Sequence, residues 1–193
     1  MANSTKRSLA WEWLGQPGLE YLLLNEDEAG VKADGWIVAV LDGQVVKVRY
    51  TVECAAGWRF RRLELDLEPA GEGKQRLAVQ LDSAGSWSVN GQPRSDLTGC
   101  TDIDIMVTPF TNTLPLRNLG LQVNQPRSIR VAYIRFPDLD VSPVDQEYTR
   151  LDPAEPPRRF RYHSLASGFV ADLTVDRDGL VIDYPGIWRQ ISL

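Results

Sequence analysis

The sequence predicts an all-β protein: an antiparallel meander of many short strands forming a large, partly open or flattened barrel. Three observations lead there. Apolar and polar residues alternate with a period of two through most runs, turn dipeptides punctuate those runs, and apolar spacing of helical period is hard to find.

Taken in order, "LAWEW" places Trp11 and Trp13 on one face of a first strand. "GLEYLLLNEDEAG" is the best helical candidate, yet it is short and its leucine run suits a buried strand as well. "GWIVAVLDGQVVKVRYTVE" holds two β-rich arms joined at Asp42-Gly43, a strong hairpin signal. In the second arm Val46, Val48, Tyr50 and Val52 alternate with Lys47, Arg49, Thr51 and Glu53. "WRFRRLELDLE" sets Leu63, Leu65 and Leu67 against Glu64, Asp66 and Glu68. "RLAVQLDSAGSWSVNGQPRSDL" supplies two short strands with Asn90-Gly91 as a turn. "CTDIDIMV", "SIRVAYIRF" and "RRFRYHSL" follow, and "SGFVADLTVDRDGLVIDY" closes the series as a hairpin around Asp178-Gly179.

At the usual spacing of about 8–12 residues per strand and turn, the chain holds on the order of 15 strands. The Pro-rich "LDPAEPPRRF" reads as a long loop rather than a boundary, so residues 1–193 are expected to form a single β-barrel-like domain. About eight strands already suffice to hold a small ligand, and a larger barrel must flatten, plug itself or enclose a cavity. Size is thus the first physical hint of a binding protein.

Composition narrows the function classes. Of 193 residues, 43% are hydrophobic and 24% charged, which is globular rather than disordered. A formal net charge of −5 argues against nucleic acid, whose phosphates need a basic stripe. "MANSTKRSLAWEWLG" lacks a long apolar segment and no later run approaches a membrane span, so a soluble, cytoplasmic protein is expected. Cys54 and Cys100 sit in neither CxxC nor zinc-ligand spacing and read as free, packed thiols. His163 is the sole histidine, which excludes a multi-histidine metal site and leaves any Ser-His-Asp triad dependent on it alone. With no GxSxG, HExxH, P-loop or GxGxxG motif, no catalytic residue, metal or cofactor is assigned.

Three constellations remain. Asp102 and Asp104 share one strand face with Met106 and Thr108, leaving Ile103, Ile105 and Val107 on the other. They are the wet side of a sheet, the lining of a polar cavity, or an acid–base pair whose separation of roughly 6–7 Å any D-x-D strand would satisfy. "TPFTNTLP" crowds Thr108, Thr111, Asn112 and Thr113 around Phe110 between two prolines. That is either a turn whose side chains satisfy their own backbone or a loop suited to sugar hydroxyls and ring faces. Finally, the Leu63 face continued backwards reaches Arg61 and Arg59. A bulge turns them outward, or they border the interior where an anionic head group could be held.

"DIDIMVTPFTNTLPLRNL", "DQEYTRL" and "VDRDGLVIDYPGIWRQ" together resemble a bacterial family of glycolipid-binding proteins, with TPFTNTLP and DYPGIW the most specific parts. The resemblance implies many antiparallel strands wrapped into an incomplete barrel likened to the bacterial lipoprotein-localisation factors, with a glycolipid as ligand. The family pattern carries an arginine pair after TNTLP; this chain offers Arg117 alone. The expected function is non-enzymatic binding of a glycolipid-like amphiphile. Its acyl part would enter the barrel interior, and Thr108, Phe110, Thr111, Asn112, Arg117, Asp102 and Asp104 would meet its head. The alternatives are a sugar-directed hydrolase using Asp102 and Asp104, and a structural or partner-binding β-domain.

Overall fold

A computed structural model describes residues 4–156 and 158–191, so Pro157 of the Pro-rich connection lies outside the described residues. The first half of the chain forms β1 (Thr5–Trp13), β2 (Gly18–Asp27), β3 (Gly30–Leu41), β4 (Gln44–Ala55), β5 (Arg59–Pro69) and β6 (Gln75–Leu81). Short strands β7 (Trp87–Val89) and β8 (Gln92–Pro93) precede β9 (Asp102–Ile105). A 3₁₀ turn at Phe110–Asn112 runs into helix α1 (Thr113–Asn118). The second half forms β10 (Arg127–Ile134), β11 (Val141–Arg150) and β12 (Arg159–Ser164), then β13 (Val170–Val175), β14 (Val181–Tyr184) and β15 (Trp188–Gln190).

All of these strands join one 15-stranded sheet in the order β8-β7-β6-β5-β4-β3-β2-β1-β15-β14-β13-β12-β11-β10-β9. Strand makes up 58% of the described residues, and the sheet is not closed into a barrel; β8 and β9 remain its two edges. Neighbours pair antiparallel except β9 with β10, which run parallel with Asp102 opposite Val131 and Asp104 opposite Tyr133. Parallel partners need a crossover, and here the TPFTNTLP turn with α1 begins it.

Turn chemistry sets the hairpins. Asp42 and Gly43 have φ of 50° and 79°, and Asn90 and Gly91 have 50° and 76°. Positive φ at both positions is the two-residue turn whose twist matches paired strands. At β13–β14 the loop is longer: Asp176 N–H donates to Leu180 O at 2.8 Å around Gly179.

The structure places three segments that the sequence left open. The helical candidate "GLEYLLLNEDEAG" is β2, where buried Leu22 and Leu24 alternate with exposed Tyr21 and Leu23. TPFTNTLP is a helical turn rather than an irregular loop, and Pro115 is tolerated because the first helical turn has no intrahelical use for its N–H. Strand β11 carries no clear strand signal: Pro143, Asp145, Gln146 and Glu147 interrupt its sequence, and pairing with both β10 and β12 holds it in place.

The largest side chains that fill the interior are aromatic, among them fully buried Trp11, Trp58, Trp188, Tyr50, Tyr148, Phe60 and Phe110. Trp11 donates its indole N–H to Val181 O at 2.7 Å, tying β1 to β14. Phe110 wedges between Tyr50 and Trp58, with ring centroids 6.5 and 6.3 Å away. The TPFTNTLP turn therefore plugs the space between the two halves of the curled sheet. Cys54 and Cys100 are unpaired and buried; burial pushes the Cys54 thiol up to about 12. Among the described residues no helix is long and apolar enough to cross a membrane.

Candidate functional site

Strand register decides which way the two aspartates face. Asp104 lies opposite Tyr133 on β10, Ile129 on the same face pairs with Gln146 on β11, and Gln146 pairs with Ser164 on β12. Paired residues point to the same side, and so do residues two apart. Asp102, Asp104, Tyr133, Gln146 and Ser164 therefore share the interior face. Asp102 is only 2% exposed, and Ile103 and Ile105 on the opposite face are buried too. The wet-side reading is thereby corrected: β9 is covered on both faces.

A pocket of about 420 Å³ opens in this half, bounded by the end of β9, the TPFTNTLP turn, β11, β12 and the turn at residues 166–169. That volume lies within the ordinary range of about 300–1,000 Å³ for small-molecule sites. Its polar lining includes Asp104, Thr108, Asn112, Gln146 and Ser164. Tyr133, Tyr162, Phe169, Tyr184 and Trp188 form its aromatic walls. Tyr162, Phe169 and Tyr184 pack on one another with centroids 6.2–6.3 Å apart.

Each polar group at the floor is braced. Gln146 Nε2 donates to Asp104 Oδ2 at 2.6 Å, and Thr111 Oγ1 donates to Asp104 Oδ1 at 3.0 Å. Burial raises the Asp104 carboxyl above its usual range, and those two bonds oppose the rise. Tyr148 donates its hydroxyl to Asn112 Oδ1 at 3.0 Å, and Asn112 Nδ2 donates to Pro109 O at 3.3 Å. Gln146 Oε1 has no hydrogen-bond partner, although the residue is only 1% exposed.

Glu20 is the residue the sequence reading missed. It occupies the interior face of β2 in line with Leu22 and Leu24 and is fully buried. Thr108 Oγ1 donates to its Oε1 at 2.8 Å, and the Tyr50 hydroxyl donates to the same oxygen. Thr108 also accepts the Phe110 N–H at 3.0 Å. Glu20 thus anchors the start of the turn from the far half of the sheet. Burial pushes its carboxyl up to about 8, outweighing both hydrogen bonds. Gly35 makes the arrangement possible: it lies opposite Tyr50, and a Cβ there would overlap the phenol ring. The signal was a lone carboxylate on an otherwise apolar strand face.

The candidate residues divide. Asp104, Thr108 and Asn112 line the pocket. Thr111 braces Asp104 and accepts the Ile105 N–H at 3.2 Å. Phe110 is a core wedge, and Thr113 is buried with an unpartnered hydroxyl. Asp102 lies outside the pocket lining; burial pushes it up to about 6, and its Oδ1 has no partner.

The three arginines also lie outside the lining. Arg117 stacks 4.4 Å over Trp58 and donates to Asp178 O at 2.7 Å. A bulge resolves the β5 question. Glu53 pairs with Arg62 and Cys54 with Phe60, which leaves Arg61 as the extra residue, donating to Asp82 O at 3.2 Å. Phe60, not Arg61, continues the leucine face, and Arg59 is exposed.

Among curated proteins none matches the chain. Two solved structures do. A DUF1089 family protein from Pseudomonas aeruginosa is 35% identical with a TM-score of 0.81, covering 90% of this chain and 92% of that one. A β-barrel-like protein of the domain of unknown function DUF1849 from Brucella abortus is 12% identical with a TM-score of 0.52, covering 98% and 94%; that likeness concerns the fold alone. The family described as "Putative glycolipid-binding" matches residues 8–190, and the chain belongs to it.

Proposed function

We propose that the protein binds a glycolipid-like amphiphile in the pocket beneath the TPFTNTLP turn and performs no chemistry on it. One observation carries this reading. The pocket joins an aromatic wall to a row of largely buried hydrogen-bonding groups, and at its edge one apolar ring is left in solvent. Phe169 at the pocket edge is 41% exposed. Such an arrangement suits a ligand with one polar and one apolar end.

In this reading the head meets Asp104, Asn112 and Gln146, and the acyl part follows the aromatic wall to Phe169 at the edge. Each methylene buried contributes about 0.8 kcal/mol, so the chain supplies most of the affinity and the polar groups set specificity. A hydrolytic pair is less well supported, because Asp102 does not line the pocket that Asp104 lines. The unpaired cysteines favour a reducing compartment, and we place the protein in the cytoplasm. Native mass spectrometry of protein taken directly from cells is expected to show a co-purifying amphiphile. Protein that carries none, and takes up none after delipidation, would contradict the proposal.

A further inference from the structure

The charge of the pocket walls bears on which head group they accept. Among the described lining residues there is no lysine, arginine or histidine, and the single ionisable acid is Asp104. Arg127 and Arg150 share the interior face by register but lie outside the pocket lining, and Arg130 and Arg161 are turned away. Arg130 alternates with buried Val131, and Arg161 with Tyr162, so both occupy the opposite face of the sheet. There they form two-point ion pairs, Arg130 with Asp145 at 2.7 and 2.9 Å and Arg161 with Asp172 at 2.7 and 3.0 Å. An anionic head entering the pocket would lose its water beside a carboxylate and meet no counter-charge.

The acceptors point the other way. Gln146 sits on the pocket wall with its amide turned so that Nε2 serves Asp104, which leaves Oε1 without a donor. A buried acceptor without a donor is costly, and a ligand hydroxyl would remove that cost. Both Asp104 oxygens are already engaged by neutral donors, Gln146 and Thr111. The carboxylate is thus held by hydrogen bonds without needing a cation.

Resting on the pocket being the amphiphile site, we infer that it selects an uncharged, hydroxyl-bearing head, a neutral sugar, and rejects anionic amphiphiles. Gln146 is the residue that reads the hydroxyl.

Calorimetric titration of the delipidated full chain with octyl β-glucoside, octanoate, octyltrimethylammonium and octanol, all below micelle formation, tests this. The glucoside is expected to bind at least about tenfold more tightly than octanoate or octyltrimethylammonium, a difference of about 1.4 kcal/mol. Gln146→Leu is expected to weaken binding of the two hydroxyl-bearing ligands, octyl β-glucoside and octanol, about tenfold, and unchanged glucoside binding by a folded variant would overturn the role given to Gln146. Octanoate or octyltrimethylammonium binding as tightly as the glucoside would overturn the neutral-head inference and leave amphiphile binding standing. If none of the four binds, amphiphile binding itself fails. The wild-type comparison decides the charge preference even if the Gln146 variant does not fold.

Discussion

The two halves of the sheet are built on different principles. In β3–β6 each strand shows one face to the core and one to water. Leu63, Leu65 and Leu67 are at most 2% exposed, while Asp66 and Glu68 on the other face pair with Lys74 at 2.7 Å and Lys47 at 2.6 Å. In β9–β12 the interior face itself carries Asp102, Asp104 and Gln146. Burying such groups costs stability unless hydrogen bonds compensate, and here Asp102 Oδ1 and Gln146 Oε1 have no partner. The first half is a scaffold. The second half accepts unfavourable burial where a pocket needs polar walls.

Glu20 and Phe110 are where the halves meet, so they offer the sharpest ways to break this contrast. Phe110→Ala is expected to cost about 3–5 kcal/mol in urea unfolding, comparable with the roughly 2–5 kcal/mol expected for Leu63→Ala. A cost near zero would mean that the turn merely rests on the scaffold instead of plugging it. Phe110 serves packing, so its loss should be felt first in stability.

Glu20 gives a pH-dependent effect with a definite sign. Its carboxyl is raised from 4.5 to about 8 on folding. Below the lower value both states hold the proton. Between the two, the folded state keeps a proton that the unfolded state has released, so stability falls as pH rises through that window. Glu20→Gln removes the titrating group. The variant should gain on wild type by up to about 1.4 kcal/mol per pH unit between roughly pH 5 and pH 8. Parallel stability curves for the two proteins would show that Glu20 is not held protonated by the fold.

Much of this was legible in the chain. Asp42-Gly43 and Asn90-Gly91 announced their hairpins because those turns demand positive φ at two successive residues. The leucine alternation of β5 announced its faces, and TPFTNTLP announced a special segment. Other features needed the neighbours. A period of two says that a strand has two faces, but not which is wet when partners cover both, so Asp102 and Asp104 could not be oriented from β9 alone. The displacement of Arg61 depends on a bulge set against β4. Gln146 was invisible because β11 owes its strand state to pairing on both sides rather than to its own residues. Glu20 was visible as a carboxylate among leucines, but its partners Tyr50 and Thr108 lie 30 and 88 positions away.

The central claim is that the amphiphile occupies the pocket in the second half. Ala166 lines that pocket from an exposed surface turn, so Ala166→Trp should occlude it with a stability change within about ±0.5 kcal/mol. Calorimetric titration with octyl β-glucoside tests the claim most directly. Binding to the wild type and none to the equally stable Ala166→Trp protein is expected. A variant that binds with wild-type affinity would place the ligand elsewhere and contradict it.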